Sequence, residues 1–239
     1  YEINVPSISI SGGTTVFNAA VTTPSFSQSG GSAVFNAAAT TPSFTQTGGN
    51  LGGSGTLTLT GANNTWSGTN GSWTGNGSVI VTNGANLALS GTGYGNTFGG
   101  HTLQIDPGAT VSIAGRIELE PGTNAINNAG VLSFANASDI SNIYGNGGPL
   151  TLTNSGAISK NGAGTLQLGG GYLGDVNLTN TGTINILQGT LNYASGTGSS
   201  LGGTLTVASG ATYQTGGAAI TFDAASIFNN AGDLLTTCL

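Results

Sequence analysis

Arg116, Glu118 and Glu120 are the charged side chains whose types and spacing come nearest to an acid–base site. Alternate residues of a β-strand share one face and stand about 7 Å apart, which loosely fits the spacing of paired carboxylates in acid–base work. Ile117 and Leu119 alternate with them and would face the other way. No neighbouring stretch adds the Asp, Lys and Arg cluster that such chemistry needs. We therefore expect a solvated strand face with weak ion pairing, and no enzymatic activity.

The residues that could ligate metals or phosphates are equally sparse. His101 is the only histidine, Cys238 is the only cysteine, and neither has a partner for a transition-metal site or an intrachain disulfide. The segment Gly169–Asp175 matches calcium-binding repeats only in part, and glycine-rich Gly91–Gly95 indicates a corner and not a phosphate loop. We predict no metal and no cofactor, with His101 an ordinary corner residue and the role of Cys238 left open.

Aromatic side chains suggest a binding role. Trp66 and Trp73 lie in the polar run Asn63–Gly77, which has no aliphatic residue. Indoles on such a surface can stack on sugar rings while amides and hydroxyls bind the sugar hydroxyls. We predict Trp66, Trp73 and Tyr94 as a glycan-contact patch. The opposing interpretation, which the pattern favours most for Trp66, is that each indole closes a strand–corner unit and packs into the core.

Composition narrows the classes of function. Only 4% of the residues are charged, and two basic residues against eight acidic ones give a net charge of -6. Two cations cannot neutralise a phosphate backbone or an anionic membrane, so we expect no nucleic-acid partner and no polybasic membrane contact. No apolar run approaches the roughly 18 residues of a membrane helix, so we expect no membrane insertion by this segment.

An internal repeat organises the first 50 residues. Pro6–Gly13 is followed at 18-residue steps by Pro24–Gly31 and Pro42–Gly49, and Val16–Ala20 recurs as Val34–Ala38. Each unit holds two short apolar strands and two corners, one Gly-Gly and one Thr-Thr-Pro. Proline belongs at the start of a strand because it has no N–H to donate to a ladder.

Residues 51–239 keep the same pattern with looser spacing: short strands of alternating apolar and polar residues, separated by glycine-rich corners. One corner recurs as Asn-x-Gly at Asn128, Asn154, Asn180 and Asn230, with the first two intervals equal. Asparagine and glycine tolerate the positive φ of tight corners, and asparagines at equivalent corners can stack their amides along an axis.

An exact 18-residue period has no explanation in a β-sandwich, whereas in a parallel solenoid it is one coil. We therefore predict an all-β fold: a right-handed parallel β-helix of about 10–12 coils, some 50–60 Å long at about 4.8 Å per coil. Residues 1–239 are expected to form a single domain, a slice of a longer repeat protein. Uncapped sheet edges would favour end-to-end or lateral self-association.

Gly53–Gly68 resembles the strand repeat of bacterial autotransporter passenger domains, and the whole chain more loosely resembles the β-helical stalks of haemagglutinin-type adhesins. The matching residues are Leu57, Leu59, Gly61, Asn63 or Asn64, Trp66 and Gly68. Gly162–Leu168 and Ile186–Leu191 are weaker partial matches. The resemblance implies a secreted protein at the bacterial cell surface.

These observations predict a non-catalytic extracellular structural or adhesive rod that contacts host or environmental glycans. One alternative is the non-catalytic part of a polysaccharide-degrading β-helix protein. Another is an ice-binding solenoid, because Thr56, Thr58 and Thr60 form an outward row. That row would have to recur coil after coil, and only Thr151/Thr153 and Thr204/Thr206 echo it.

Overall fold

The computed structural model describes residues 2–68, 70–91, 96–135, 139–142, 147–170 and 174–236, with residues 139–142 described by their backbone alone. These residues form 33 short β-strands joined by turns and bends, and none of them lies in a helix.

The strands run in chain order. The first eleven are β1 (Glu2–Asn4), β2 (Ile8–Ile10), β3 (Thr14–Phe17), β4 (Ala20–Thr22), β5 (Phe26–Gln28), β6 (Ser32–Phe35), β7 (Ala39–Thr41), β8 (Phe44–Gln46), β9 (Gly49–Gly52), β10 (Thr56–Leu59) and β11 (Asn64–Gly68). The next eleven are β12 (Gly71–Thr74), β13 (Ser78–Val81), β14 (Asn86–Gly91), β15 (Asn96–Gly99), β16 (Thr102–Ile105), β17 (Thr110–Ile113), β18 (Ile117–Leu119), β19 (Asn124–Asn128), β20 (Val131–Phe134), β21 (Asp139–Asn142) and β22 (Leu150–Asn154). The last eleven are β23 (Ala157–Lys160), β24 (Thr165–Leu168), β25 (Val176–Asn180), β26 (Thr183–Ile186), β27 (Thr190–Tyr193), β28 (Ser199–Leu201), β29 (Thr204–Val207), β30 (Thr212–Thr215), β31 (Ile220–Phe222), β32 (Ile227–Asn230) and β33 (Asp233–Thr236).

Three parallel sheets of 11 strands each form the faces of a solenoid. Every third strand joins the same sheet: sheet A runs from β1 through β4 to β31, sheet B from β2 through β5 to β32, and sheet C from β3 through β6 to β33. Each turn of the chain therefore adds one strand to every sheet, which makes a β-solenoid of about 10 turns. The predicted parallel β-solenoid is confirmed, while its right-handedness stays a prediction.

Strand register shows that the 18-residue repeat is one turn, which holds three strands and not the two that we expected. Ala39 pairs with Val21 on one side and with Leu57 on the other, at 18 residues each way. Farther along, Asn154 pairs with Asn128 and Asn180, each 26 residues away. Longer corners account for the extra residues, since the strands stay three to six residues long.

The core lies inside the solenoid and follows the alternation of strand side chains. Leu57 and Leu59 are 3% and 0% exposed, whereas Thr56 and Thr58 are half-buried on the outer face. In the 18-residue turns the period places like side chains above one another, so Phe17 and Phe35 stack with ring centroids 4.7 Å apart. The inward positions predicted for the two leucines are confirmed.

Glycine is needed where consecutive turns approach closely at a corner. Gly31 has a φ of +65°, and a Cβ there would lie 2.6 Å from the carbonyl carbon of Gly12 and the carbonyl oxygen of Gly13. Only glycine fits this corner without moving the backbone of the turn beneath it.

Candidate functional site

Both tryptophans lie inside the solenoid, which corrects the prediction that they contact glycans. Trp66 in β11 and Trp73 in β12 are each 0% exposed. Their rings stack with centroids 3.9 Å apart and an interplanar angle of 6°. Trp73 Nε1 donates a hydrogen bond of 2.6 Å to Gln46 Oε1. Since a sugar in solvent cannot reach either ring, neither residue belongs to a glycan site; Tyr94 lies outside the described residues.

The alternation of inward and outward side chains along each strand already indicates that both indoles face the core. In β11 the inward residues are Asn64 and Trp66, and in the register of sheet B Trp66 pairs with the inward Leu89. In sheet C, Trp73 pairs with the inward Leu51. The run Asn63–Gly77 lacks aliphatic residues because two stacked indoles fill that layer of the core.

Arg116, just before β18, and Glu118, within it, form an ion pair and not an open catalytic face. Arg116 Nε lies 3.8 Å from Glu118 Oε1. Ile117 and Leu119 are buried and Glu120 is exposed, as the alternation predicts, but Glu118 is only 8% exposed. The expected solvated face is therefore wrong at Glu118, while the expected ion pairing is present. The geometry favours mutual charge compensation between the guanidinium and this carboxylate over proton transfer to a substrate.

His101 lies in the corner just before β16, as expected, but its side chain is buried. It is 3% exposed, and its ring centroid lies 6.4 Å from that of Trp73. Burial lowers its pKa to about 4, and a hydrogen bond with the Gly75 backbone offsets part of that shift. His101 is thus neutral at pH 7. Among the described residues, no group of three or more His, Cys, Asp or Glu side chains is placed to hold a metal ion.

Lys160 is the residue that sequence reasoning missed. It ends β23, is 0% exposed, and pairs in register with Phe134 on one side and Ile186 on the other. Its Nζ donates a hydrogen bond to the carbonyl oxygen of Gly162, and burial lowers its pKa. Aligning the Asn-x-Gly corners would have found this position, because Lys160 then falls on the inward Phe134 and Ile186.

A ladder of buried amides crosses three turns at the corner after sheet A. Asn128 Nδ2 donates to Asn154 Oδ1, and Asn154 Nδ2 donates to Asn180 Oδ1, each over 2.6 Å. All three side chains are at most 2% exposed. The predicted amide stacking is confirmed for these three corners and is wrong for Asn230, which ends β32 in sheet B, is exposed and pairs with Val207.

The outer faces of sheets A and B each carry one row of uncharged side chains in register, one residue per turn. The row on sheet A is Asn4, Thr22, Thr40, Thr58, Ile80, Gln104, Asn127, Thr153, Thr179, Ser200 and Thr221. The row on sheet B is Ser9, Ser27, Thr45, Thr65, Ala88, Ser112, Ser133, Ser159, Asn185, Thr206 and Asn229. Apart from Ile80 and Ala88, each row therefore offers hydroxyl and amide groups without charge.

The threonine row needed for ice binding is interrupted. Thr58 and Thr153 do share the row on sheet A, but Ile80, Gln104 and Asn127 stand between them. The pair Thr204/Thr206 lies on sheet B and does not extend this row. The face thus lacks the repetition that the ice-binding alternative requires.

A groove of about 350 Å³ opens on sheet B, where strands β11, β14 and β17 lie side by side. Nine residues line it and none is charged; those used below are Asn63, Thr65, Asn86, Ala88, Thr110 and Ser112. In register, Thr65 faces Ala88 and Ala88 faces Ser112, while Asn86 faces Thr110. Its volume is near the lower end of the roughly 300–1,000 Å³ range of small-molecule sites.

Comparisons with protein families, curated proteins and solved structures gave no match to this chain. Of what the resemblance of Gly53–Gly68 implies, the structure shows the β-solenoid fold. Within the described residues, no helix is long and apolar enough to cross a membrane.

Proposed function

We propose that this chain is a non-catalytic rod of an extracellular bacterial surface protein, and that it adheres to neutral glycans through its outer faces. The observation that carries the proposal is the pair of uncharged, hydrogen-bonding rows that follow sheets A and B turn after turn. The location at the cell surface is supported by the resemblance of Gly53–Gly68 to autotransporter passenger repeats, whose Leu57 and Leu59 occupy inward positions.

Charge selects a neutral ligand over an anionic one. The chain has two basic residues against eight acidic ones. Lys160 is 0% exposed in the core, and the guanidinium of Arg116 lies beside Glu118. Phosphate, sulfate and carboxylate groups would therefore meet a surface of net negative charge with no open cation cluster to bind them.

The absence of catalysis is part of the proposal and has its own support. Three charged residues come closest to a hydrolase arrangement. The half-exposed Arg116 forms an ion pair with Glu118, and Glu120 is exposed on the outside. His101, the one side chain whose ordinary pKa lies near 7, is buried and neutral. A binding role of this kind would also serve a protein whose hydrolase or lyase domain lies elsewhere in its chain.

The test combines retention with product analysis. Purified protein is incubated with insoluble neutral polysaccharides, with acidic polysaccharides and with nucleic acid, and both the bound protein and the released reducing ends are measured. We expect retention on at least one neutral polysaccharide, little on the anionic polymers, and no released reducing ends. Three results would contradict the proposal: retention by anionic polymers alone, release of reducing ends, or no retention on any glycan.

A further inference from the structure

The groove on sheet B combines a recess with a set of polar groups that have no other partner. The side-chain amides of Asn63 and Asn86 and the hydroxyls of Thr65, Thr110 and Ser112 line it, and none of these five groups hydrogen-bonds within the described structure. Polar groups elsewhere on the surface are often paired with one another: Thr56 Oγ1 lies 3.0 Å from Ser78 Oγ, and Asn50 Oδ1 accepts hydrogen bonds from Ser72 and Thr74.

Ala88 makes the recess. It is the only residue of the sheet B row that has neither a hydroxyl nor an amide, and it lies between Thr65 and Ser112. Neighbouring strands of a sheet stand about 4.8 Å apart, so the recess spans about 10 Å across three turns. The Ala88 methyl group forms an apolar floor, and hydroxyls stand at both ends of it.

A second line of groups forms one wall. Asn86 pairs with Thr110 in register, and Asn63 precedes the strand that pairs with β14. Amides and hydroxyls both donate and accept hydrogen bonds, as sugar hydroxyls do. Beyond Thr110 the same line continues with Val131, an exposed apolar residue, so the polar wall ends there.

We propose that this groove is the glycan-binding site: a short stretch of a neutral saccharide lies along the solenoid axis, with one sugar ring over Ala88. The wall amides of Asn63 and Asn86 and the hydroxyls of Thr65, Thr110 and Ser112 bind its hydroxyls. The inference rests on the function proposed above and assigns that function to one place on the rod. With no aromatic platform and no charge, each site is weak, and firm adhesion comes from several rods or several sites on one polymer.

The test uses the complete chain and a soluble neutral oligosaccharide, selected from a glycan array and titrated by calorimetry. Ala88→Gln fills the recess with a side chain that strands tolerate on their outer face. Thr165→Gln is the matched control, because Thr165 is an exposed strand residue of sheet C and lies outside both rows and outside the groove. A double variant, Thr65→Val with Ser112→Ala, removes two hydroxyls without filling the groove.

We expect Ala88→Gln to weaken binding by at least about tenfold, the double variant by about five- to tenfold, and Thr165→Gln by less than about twofold. Circular dichroism and melting temperature report whether each variant folds. If Ala88→Gln does not fold, the double variant tests the site in its place. Unchanged binding in the groove variants, or equal loss in the control, overturns this site while leaving the adhesive function standing. If the wild-type chain binds no glycan, both proposals fail.

Discussion

Removing the middle rung of the amide ladder, by Asn154→Ala, is the change whose effect on stability follows most directly from the structure. Asn154 is 0% exposed and connects Asn128 to Asn180 through two hydrogen bonds of 2.6 Å. Its Nδ2 also donates to the carbonyl oxygens of Thr183, over 3.1 Å, and Gly156, over 3.4 Å. Alanine removes all of these contacts without adding strain to a strand end.

The magnitude comes from what the change leaves behind. Asn180 Oδ1 loses the Asn154 Nδ2 donor, and a buried acceptor without a partner costs about 1–3 kcal/mol. Asn128 Nδ2 keeps its bond of 3.0 Å to the carbonyl oxygen of Ala157, so its loss is smaller. The lost packing of the amide adds to these terms, and we expect Asn154→Ala to lower the free energy of unfolding by about 3 kcal/mol.

Urea unfolding followed by far-UV circular dichroism measures this loss, with the free energy taken from the midpoint and a common slope. Asn127→Ala is the control: it removes the same side chain from a neighbouring turn, where Asn127 faces outward and makes no side-chain hydrogen bond to any residue that the structure describes. Surface changes of this kind stay within about 0.5 kcal/mol. Equal shifts of the midpoint in the two variants would refute the argument that the ladder stabilises the solenoid.

Three further predictions concern the core. Leu57→Asp buries an unpaired charge and should cost about 4 kcal/mol or more, whereas Thr58→Asp on the outer face should cost less than about 1 kcal/mol; similar urea midpoints would disprove the assigned faces. Lys160→Met should raise the free energy of unfolding at pH 7 by about 1–2 kcal/mol. In wild type, stability should rise as the pH increases towards 10.5, because the folded state lowers the pKa of Lys160 and so binds fewer protons than the unfolded chain in this range. Lys160→Met should abolish this rise, and a destabilised variant would contradict the argument. Because of His101, wild type should lose about 3 kcal/mol of its free energy of unfolding as the pH falls from 6.5 to 4. The pKa of about 4 keeps His101 neutral in the folded state, while the unfolded chain takes up a proton. His101→Gln should flatten this part of the pH–stability curve, and an unchanged curve would show that His101 titrates normally.

The solenoid was predictable because several independent features of the sequence agree on it. The 18-residue period, the alternation of Leu57 and Leu59 with threonines, and the recurring Asn-x-Gly corners all require strands that stack one turn apart. The structure shows each of them: Ala39 pairs with Leu57, the two leucines face inward, and Asn128, Asn154 and Asn180 form a ladder. Such patterns depend on local geometry, which a sequence records residue by residue.

The candidate site was predicted poorly because it depends on register between turns of unequal length. Polar composition around Trp66 and Trp73 suggested a surface, although the alternation within each strand points both indoles inward. The groove was not foreseen, since it requires Thr65, Ala88 and Ser112 to meet from three turns that differ in length. Once the Asn-x-Gly corners are aligned the buried position of Lys160 can be predicted, but its hydrogen bond to the Gly162 carbonyl oxygen cannot.

The dependence of glycan affinity on salt tests the central claim most directly, because an uncharged face that binds a neutral saccharide has no ionic contact for salt to screen. The Kd of the best neutral oligosaccharide is measured by calorimetry from about 20 mM to about 0.5 M NaCl, over which the screening length falls several-fold. The proposed function predicts a Kd that changes by less than about twofold. A Kd that rises tenfold or more with salt, or the absence of binding at every salt concentration, would contradict it.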